Sequence, residues 1–233
     1  MSREQLVEMA RHNIAHAQAG TIDKAPDIFK VPASNYYDKN RFNLEVEKIF
    51  KRLPLLLAPS AELEMPGDYK AMEAAGMPIL LVRDKDKEIR AFINSCSHRG
   101  TSVALEGTGN TSRFVCPYHG WTFDQKGALV GISSRDDFGE IDASCYGLTP
   151  LPVLEKAGLI WTILNPDSEL SIDAFLAGYD DLLANFGFED WTLFSKRTVK
   201  GPNWKIAYDG YLDLYHLPVL HKDTFGSGLS NQA

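Results

Sequence analysis

Cysteine is scarce in this chain: three residues among 233. Cys96, Cys116 and Cys145 make no disulfide framework, and such sparing use fits a reducing compartment. Long apolar runs are missing too. No stretch approaches the roughly 18 residues that span a bilayer. The start Met1-Ser-Arg-Glu-Gln5 lacks a basic segment followed by an apolar core, so no signal peptide is expected. Positive charge is in deficit, with 24 Lys and Arg against 31 Asp and Glu and a net charge of −7. That disfavours nucleic acid, whose phosphates demand a basic surface. Repeats and low-complexity segments are absent. The apolar fraction of 44% is ordinary, and the length allows one large domain or two small ones. A soluble, cytoplasmic protein without membrane contact is expected.

Against this background two short motifs stand out. Cys96-Ser-His98 and Cys116-Pro-Tyr-His119 are separated by seventeen residues. Each supplies one thiolate and one imidazole. Facing each other, they fit a [2Fe–2S] cluster with two Cys on one iron and two His on the other. Neutral imidazoles replace anionic thiolates in such a set, which raises the reduction potential and suits one-electron transfer. A tetrahedral zinc site is the competing reading. Zinc modules, however, usually group Cys with Cys and His with His, whereas here the types are interleaved. Cys145, left over, is expected to be a small buried or half-buried apolar residue.

Ser2 and Gln5 form a capping box for a helix carrying Leu6, Ala10, Ile14 and Ala17 at helical spacing, ended by Gly20. His12 and His16, four apart on it, read as solvated surface positions. A second helix is expected from about Asn40 to Arg52, with Phe42, Val46, Ile49 and Phe50 inward and Pro54 beyond its end. Strands follow at 55–58, 78–83, 88–94, 113–116, 121–124, 129–132, 148–154 and 158–164, with hairpin turns at 84–87 and 125–127. Gly107-Thr-Gly109 reads as a turn. Ile172–Phe186 reads as an amphipathic helix and Trp191–Lys200 as a strand. Asn203 caps a long helix starting at Trp204.

That last helix is expected to contain Asp213-x-x-His216-x₄-His221. Asp213 and His216, three apart, would share a face. Pro218 would bend the helix and bring His221 round to His216. Two imidazoles beside a carboxylate are most of the set that holds a mononuclear non-haem iron.

Cys96-Ser-His-Arg-Gly100 resembles the first ligand loop of Rieske proteins, and Cys116-Pro-Tyr-His-Gly-Trp121 the second. The resemblance runs from about Pro54 to Pro166. With Asn203-Trp-Lys205 and Asp213…His216…His221, the chain resembles the α subunit of Rieske non-haem iron aromatic-ring-hydroxylating oxygenases. The resemblance implies an α+β fold: N-terminal helices over 1–53, an antiparallel all-β Rieske [2Fe–2S] domain over 54–166, and the start of a helix and antiparallel-sheet catalytic domain over 167–233. It implies Cys96, His98, Cys116 and His119 as cluster ligands and His216 and His221 as ligands of a mononuclear Fe(II). Asp213 would accept a hydrogen bond from a cluster His of an adjacent chain, which requires a ring of subunits, typically a homotrimer. Electrons would come ultimately from NAD(P)H through a reductase or ferredoxin. Dioxygen would then hydroxylate or demethylate an aromatic or other organic substrate.

Two departures from the family pattern stand out. Asp209-Gly210 replaces the usual Glu-Asn before the bridging Asp. The family's acidic third iron ligand lies much further along, whereas this sequence ends twelve residues after His221, and Asp223 is too close to be its counterpart. A C-terminally truncated chain is therefore expected, with an incomplete catalytic domain. The rival reading is a Rieske ferredoxin-like electron carrier, for which 54–166 would suffice and 203–221 would serve no purpose.

Overall fold

The computed structural model describes residues 2–228. The helices are α1 (Arg3–Ala19), α2 (Ser34–Tyr37), α3 (Lys39–Glu45), α4 (Ile172–Leu176), α5 (Tyr179–Ala184), α6 (Trp204–Leu212) and α7 (Leu217–Leu220). The strands are β1 (Leu55–Pro59), β2 (Asp68–Ala74), β3 (Met77–Arg83), β4 (Ile89–Ile93), β5 (Gly107–Asn110), β6 (Arg113–Val115), β7 (Thr122–Asp124), β8 (Leu129–Gly131), β9 (Val153–Lys156) and β10 (Leu159–Thr162). Two compact units emerge. One is Asn40–Lys196, and the other joins the residues up to Lys39 with those from Arg197 onward. The expected boundaries at 53/54 and 166/167 both fall inside the first of these.

The unit 40–196 carries three sheets, ordered β1-β10-β9, β4-β3-β2-β5 and β6-β7-β8, and every strand pair is antiparallel. The fold is α+β. β3 explains how the unit is layered. Successive side chains on a strand point to opposite faces. Leu80 and Val82 enter a core with Phe92, Phe114, Trp121 and Phe123. Ile79 and Leu81 enter a second core with Leu63, Ile89, Ile160 and Leu164. Both faces of β3 are covered, so its sequence is an unbroken apolar run rather than an alternation.

Charges at the margins of these cores are paired. Arg83 donates to both carboxylate oxygens of Glu155 at 2.6 Å and to the Leu63 carbonyl at 2.8 Å. Buried Lys70 donates to Glu62 and to the Leu57 carbonyl. Asp84, with no exposed surface, holds the β3–β4 hairpin. Its Oδ1 accepts from the Asp86 and Glu88 N–H groups, and its Oδ2 from Arg90 Nε.

In the other unit, Ser2 and Gln5 form the expected capping box of α1, and Gly20 closes the helix in the left-handed conformation. Asn203 Oδ1 accepts from the Lys205 and Ile206 N–H groups, capping α6. The Asn203 amide reaches the Tyr36 carbonyl at 2.9 Å, and the Tyr36 hydroxyl donates to Asp209 at 2.6 Å.

Several expectations are corrected. The helix after Asn40 turns π-helical over Val46–Phe50. A π turn breaks the 3.6-residue phase, so Phe42 and Ile49 are exposed and only Val46 and Phe50 are half-buried. Gly107-Thr-Gly109 is not a turn but lies in edge strand β5, paired with β2. Residues 172–186 form two helices, broken at Ala177 and Gly178, both with positive φ. Residues 191–200 form no strand and are exposed throughout. A strand needs a neighbour for its backbone groups, and among the described residues none pairs with this segment. No helix among the described residues is long and apolar enough to cross a membrane.

Candidate iron–sulfur and iron sites

The two cysteine loops share one backbone design. In the first, Cys96 N–H donates to the Thr101 carbonyl at 2.8 Å and Gly100 N–H to the Cys96 carbonyl at 2.8 Å. In the second, Cys116 N–H donates to the Trp121 carbonyl at 2.7 Å and Gly120 N–H to the Cys116 carbonyl at 3.0 Å. Each loop therefore spans six residues and turns through a glycine at its fifth position. Gly100 has φ 80° and Gly120 φ 68°, a region that L side chains rarely adopt. Only the histidine differs, two residues after the cysteine in one loop and three in the other. Buried Asn94 fixes the first loop. Its Oδ1 accepts from the Val103 and Ala104 N–H groups, and its amide donates to the Ala104 carbonyl.

The four predicted donors are brought together. Cys96 and Cys116 are buried in the first core, each 3% exposed. His98 and His119 are half-buried with ring centroids 4.6 Å apart. Nδ1 of both histidines is buried and has no hydrogen-bond partner. A buried polar atom without a partner is costly and rare, and two adjacent ones are what a pair of metal-directed nitrogens looks like. Among the described residues, no three of the four donors lie within 4.8 Å of one another. A single tetrahedral zinc would hold all four about 3.3–3.8 Å apart, whereas two irons bridged by sulfide need the wider spread. The residues present therefore fit a [2Fe–2S] cluster better than one ion.

Burial pushes the Cys96 thiol up, and the neighbouring Cys116 adds to this, while the His98 and Arg99 N–H groups aimed at its sulfur work in the opposite sense. Bound iron removes the thiol proton outright. Loss of solvent, then the His98 and Arg99 charges, hold His119 below its ordinary value. That keeps the ring in the neutral form a metal requires.

Aromatic rings fix the imidazoles. Trp121 stacks on His98 at 4.8 Å and 11°, and Phe138 meets His98 edge-on at 5.8 Å. Tyr118 covers His119 at 3.8 Å, and Arg99 lies over Tyr118. Ser97 Oγ donates to the Tyr146 carbonyl at 2.6 Å. Phe138 and Tyr146 carry no mark in the sequence that assigns them here, because they come from a segment without periodicity. Cys145 is a correction: it is exposed, not buried. It sits on a short 3₁₀ turn that Asp142 caps by accepting from Ser144 N–H and Oγ, with the sulfur 3.7 Å from Asp142.

The second constellation forms differently than expected. α6 ends at Leu212, and Asp213 is extended, with φ −81° and ψ 102°. Pro218 does not bend a helix. It stands in the first turn of the separate α7, where its missing N–H costs nothing. His216 and His221 occupy the two ends of that single turn, with ring centroids 5.5 Å apart. Asp213 Oδ2 lies 3.5 Å from His216 Nδ1, while its Oδ1 accepts from Tyr215 N–H at 2.8 Å. Phe225 stacks on His221 at 4.7 Å. Asp213 meets His216, and His221 lies across one short turn from it, on a broken chain. Among the described residues no acidic group adds a third donor within 4.8 Å of both histidines.

Known proteins match both regions. A profile described as Rieske [2Fe-2S] domain matches residues 54–146, and one described as ring hydroxylating alpha subunit (catalytic domain) matches residues 188–233. The glycine betaine monooxygenase oxygenase subunit of Chromohalobacter salexigens is 31% identical over 84% of this chain and 44% of its own length. The carnitine monooxygenase oxygenase subunit of Escherichia coli (strain K12) is 34% identical over 84% of this chain and 53% of its own. A crystal structure of the quaternary ammonium Rieske monooxygenase CntA with L-carnitine superposes with a TM-score of 0.79 at 29% identity, covering 90% of this chain and 62% of that one. The chain thus spans about half the length of the curated relatives it matches. With a Rieske domain followed by catalytic-domain sequence, it belongs to the family of Rieske oxygenase α subunits.

Proposed function

We propose that this chain is part of the terminal oxygenase component of a Rieske non-haem iron oxygenase. In this reading Cys96 and Cys116 hold one iron of the cluster, and Nδ1 of His98 and of His119 holds the other. His216 and His221 are ligands of a mononuclear iron. The orphaned, buried pair of Nδ1 atoms carries the reading. When bound, the cluster supplies single electrons at a potential raised by its imidazole ligands, and the mononuclear iron supplies dioxygen activation.

The chain's own residues do the rest. Trp121 and Phe138 hold the His98 ring so that Nδ1 faces inward, and Tyr118 does the same for His119. The buried surroundings keep water from the cysteine sulfurs. Asp213 orients His216 within the chain. In the assembled protein, a homotrimer on this proposal, it also accepts a hydrogen bond from a cluster histidine of the neighbouring subunit. A reductase or ferredoxin docks to deliver electrons, and the location is cytoplasmic. The substrate class favoured by the named relatives is a quaternary ammonium compound rather than an aromatic ring. The segment 203–221 has no place in a simple electron carrier, which argues against that rival.

Asp213→Asn in the assembled oxygenase tests the positioning role. The cluster's EPR signal should be unchanged and the cluster still reducible, while product formation falls by at least tenfold. Turnover at the parent rate would refute the bridge. Offering L-carnitine, glycine betaine and benzoate in parallel reads out the substrate class, and turnover of benzoate alone would reverse that assignment.

A further inference from the structure

His12 and His16 lie four apart on α1, a spacing that by itself implies only a solvated face. The structure turns the chain at Gly20 and brings Asp23 back onto them. His12 Nε2 lies 2.8 Å from Asp23 Oδ2, and His16 Nε2 lies 3.2 Å from Asp23 Oδ1. The two Nε2 atoms are 3.2 Å apart. His16 Nδ1 lies 2.8 Å from Thr21 Oγ1.

Hydrogen bonds alone do not account for this triangle. Asp23 is exposed, and an exposed carboxyl is ionised at neutral pH. A carboxylate only accepts, so both Nε2 atoms would have to carry hydrogen to satisfy it. The contact between the two Nε2 atoms would then oppose two donors. Removing either hydrogen leaves a nitrogen lone pair against a carboxylate oxygen. No placement of protons satisfies all three contacts, whereas a cation at the centre satisfies them together.

We propose that His12, His16 and Asp23 form a binding site for a divalent first-row transition metal ion, of which Zn²⁺ is the reference case. Imidazole nitrogens at i and i+4 of a helix lie on one face. Around zinc, donors at about 2.0–2.1 Å in a tetrahedral set lie about 3.3 Å apart, close to the spacings seen. Two imidazoles select against Mg²⁺ and Ca²⁺, which prefer an all-oxygen shell. Thr21 supplies the outer anchor. By accepting from His16 Nδ1–H it leaves Nε2 as the lone-pair atom aimed at the ion, the arrangement found behind most metal-bound histidines. Water completes the shell on the exposed side. The site is distinct from the cluster loops and from His216 and His221. Its consequence is a clip that fastens the segment after Gly20 to the last turns of α1.

The test is Zn²⁺ titration by calorimetry of the cluster-loaded chain carrying His216→Gln and His221→Gln, which removes the other histidine pair outside the cluster loops. About one Zn²⁺ should bind per chain. His12→Gln or His16→Gln should each abolish that equivalent, and Thr21→Val should weaken it about tenfold. Zn²⁺ should also raise the melting temperature of the parent but not of the His12→Gln variant, whose helix content, read by circular dichroism, should match the parent. Unchanged Zn²⁺ affinity in both histidine variants, or no binding to the parent at millimolar Zn²⁺, would overturn the site.

Discussion

Nδ1 of His98 and Nδ1 of His119 share a property that single residues seldom show: they are buried and lack any partner. Beside two buried thiols that property is the ground on which the four residues are proposed as a ligand set. The other unpartnered buried atoms among the described residues, Ser60 Oγ, Glu62 Oε2, Trp121 Nε1, Trp161 Nε1 and Thr162 Oγ1, include no second imidazole pair, and buried charges are mostly paired. Asp84 is the clearest case, with two backbone N–H groups and Arg90 Nε satisfying its carboxylate. Burial pushes its pKa up, but those hydrogen bonds outweigh burial and the net value lies below the ordinary one. A carboxyl whose folded-state pKa is depressed stabilises the fold above its unfolded value, near pH 4. That contribution is lost as pH falls through the lower folded value. Asp84→Asn should cost about 1–3 kcal/mol at neutral pH, since an amide leaves donors facing donors. It should also flatten the fall in stability below about pH 4. Denaturant unfolding of both proteins across that range checks it, and parallel curves would contradict the assignment.

At the scale of elements, helix ends decide where the chemistry sits. Asn203 caps α6 and ties it to Tyr36. Asn203→Ala should cost about 1 kcal/mol and speed amide exchange in the first turn of α6, whereas unchanged exchange there would contradict this role. The caps at Ser2, Gly20 and Asn203 were legible in the sequence because a cap is a local device. So were the hairpins at 84–87 and 125–127, where turn residues lie between apolar runs. The breaks were not. Asp213 to His216 carries no glycine, and Pro218 reads equally well as a kink or as a first-turn residue. Only the extended conformation of Asp213 separates the two. Likewise, β5 is glycine-rich and reads as a turn, but its partner β2 lies nearly forty residues earlier, and pairing across that distance leaves no local mark.

Across the whole molecule, the Rieske domain was legible because the proposed donors fall within two short loops. The aromatic residues around it were not, since Phe138 and Tyr146 arrive from an irregular segment. The His12–His16–Asp23 triangle was half legible, with the histidine spacing plain and the returning carboxylate hidden in a loop. The central claim is that the two loops hold a Rieske cluster. Iron and acid-labile sulfide per chain, with an EPR spectrum after reduction, test it on anaerobically purified protein. About two irons and two sulfides in the cluster, lost together in Cys96→Ser, with a Rieske-type signal, are the predicted result. Zinc without sulfide, bound by the same four residues, would contradict it.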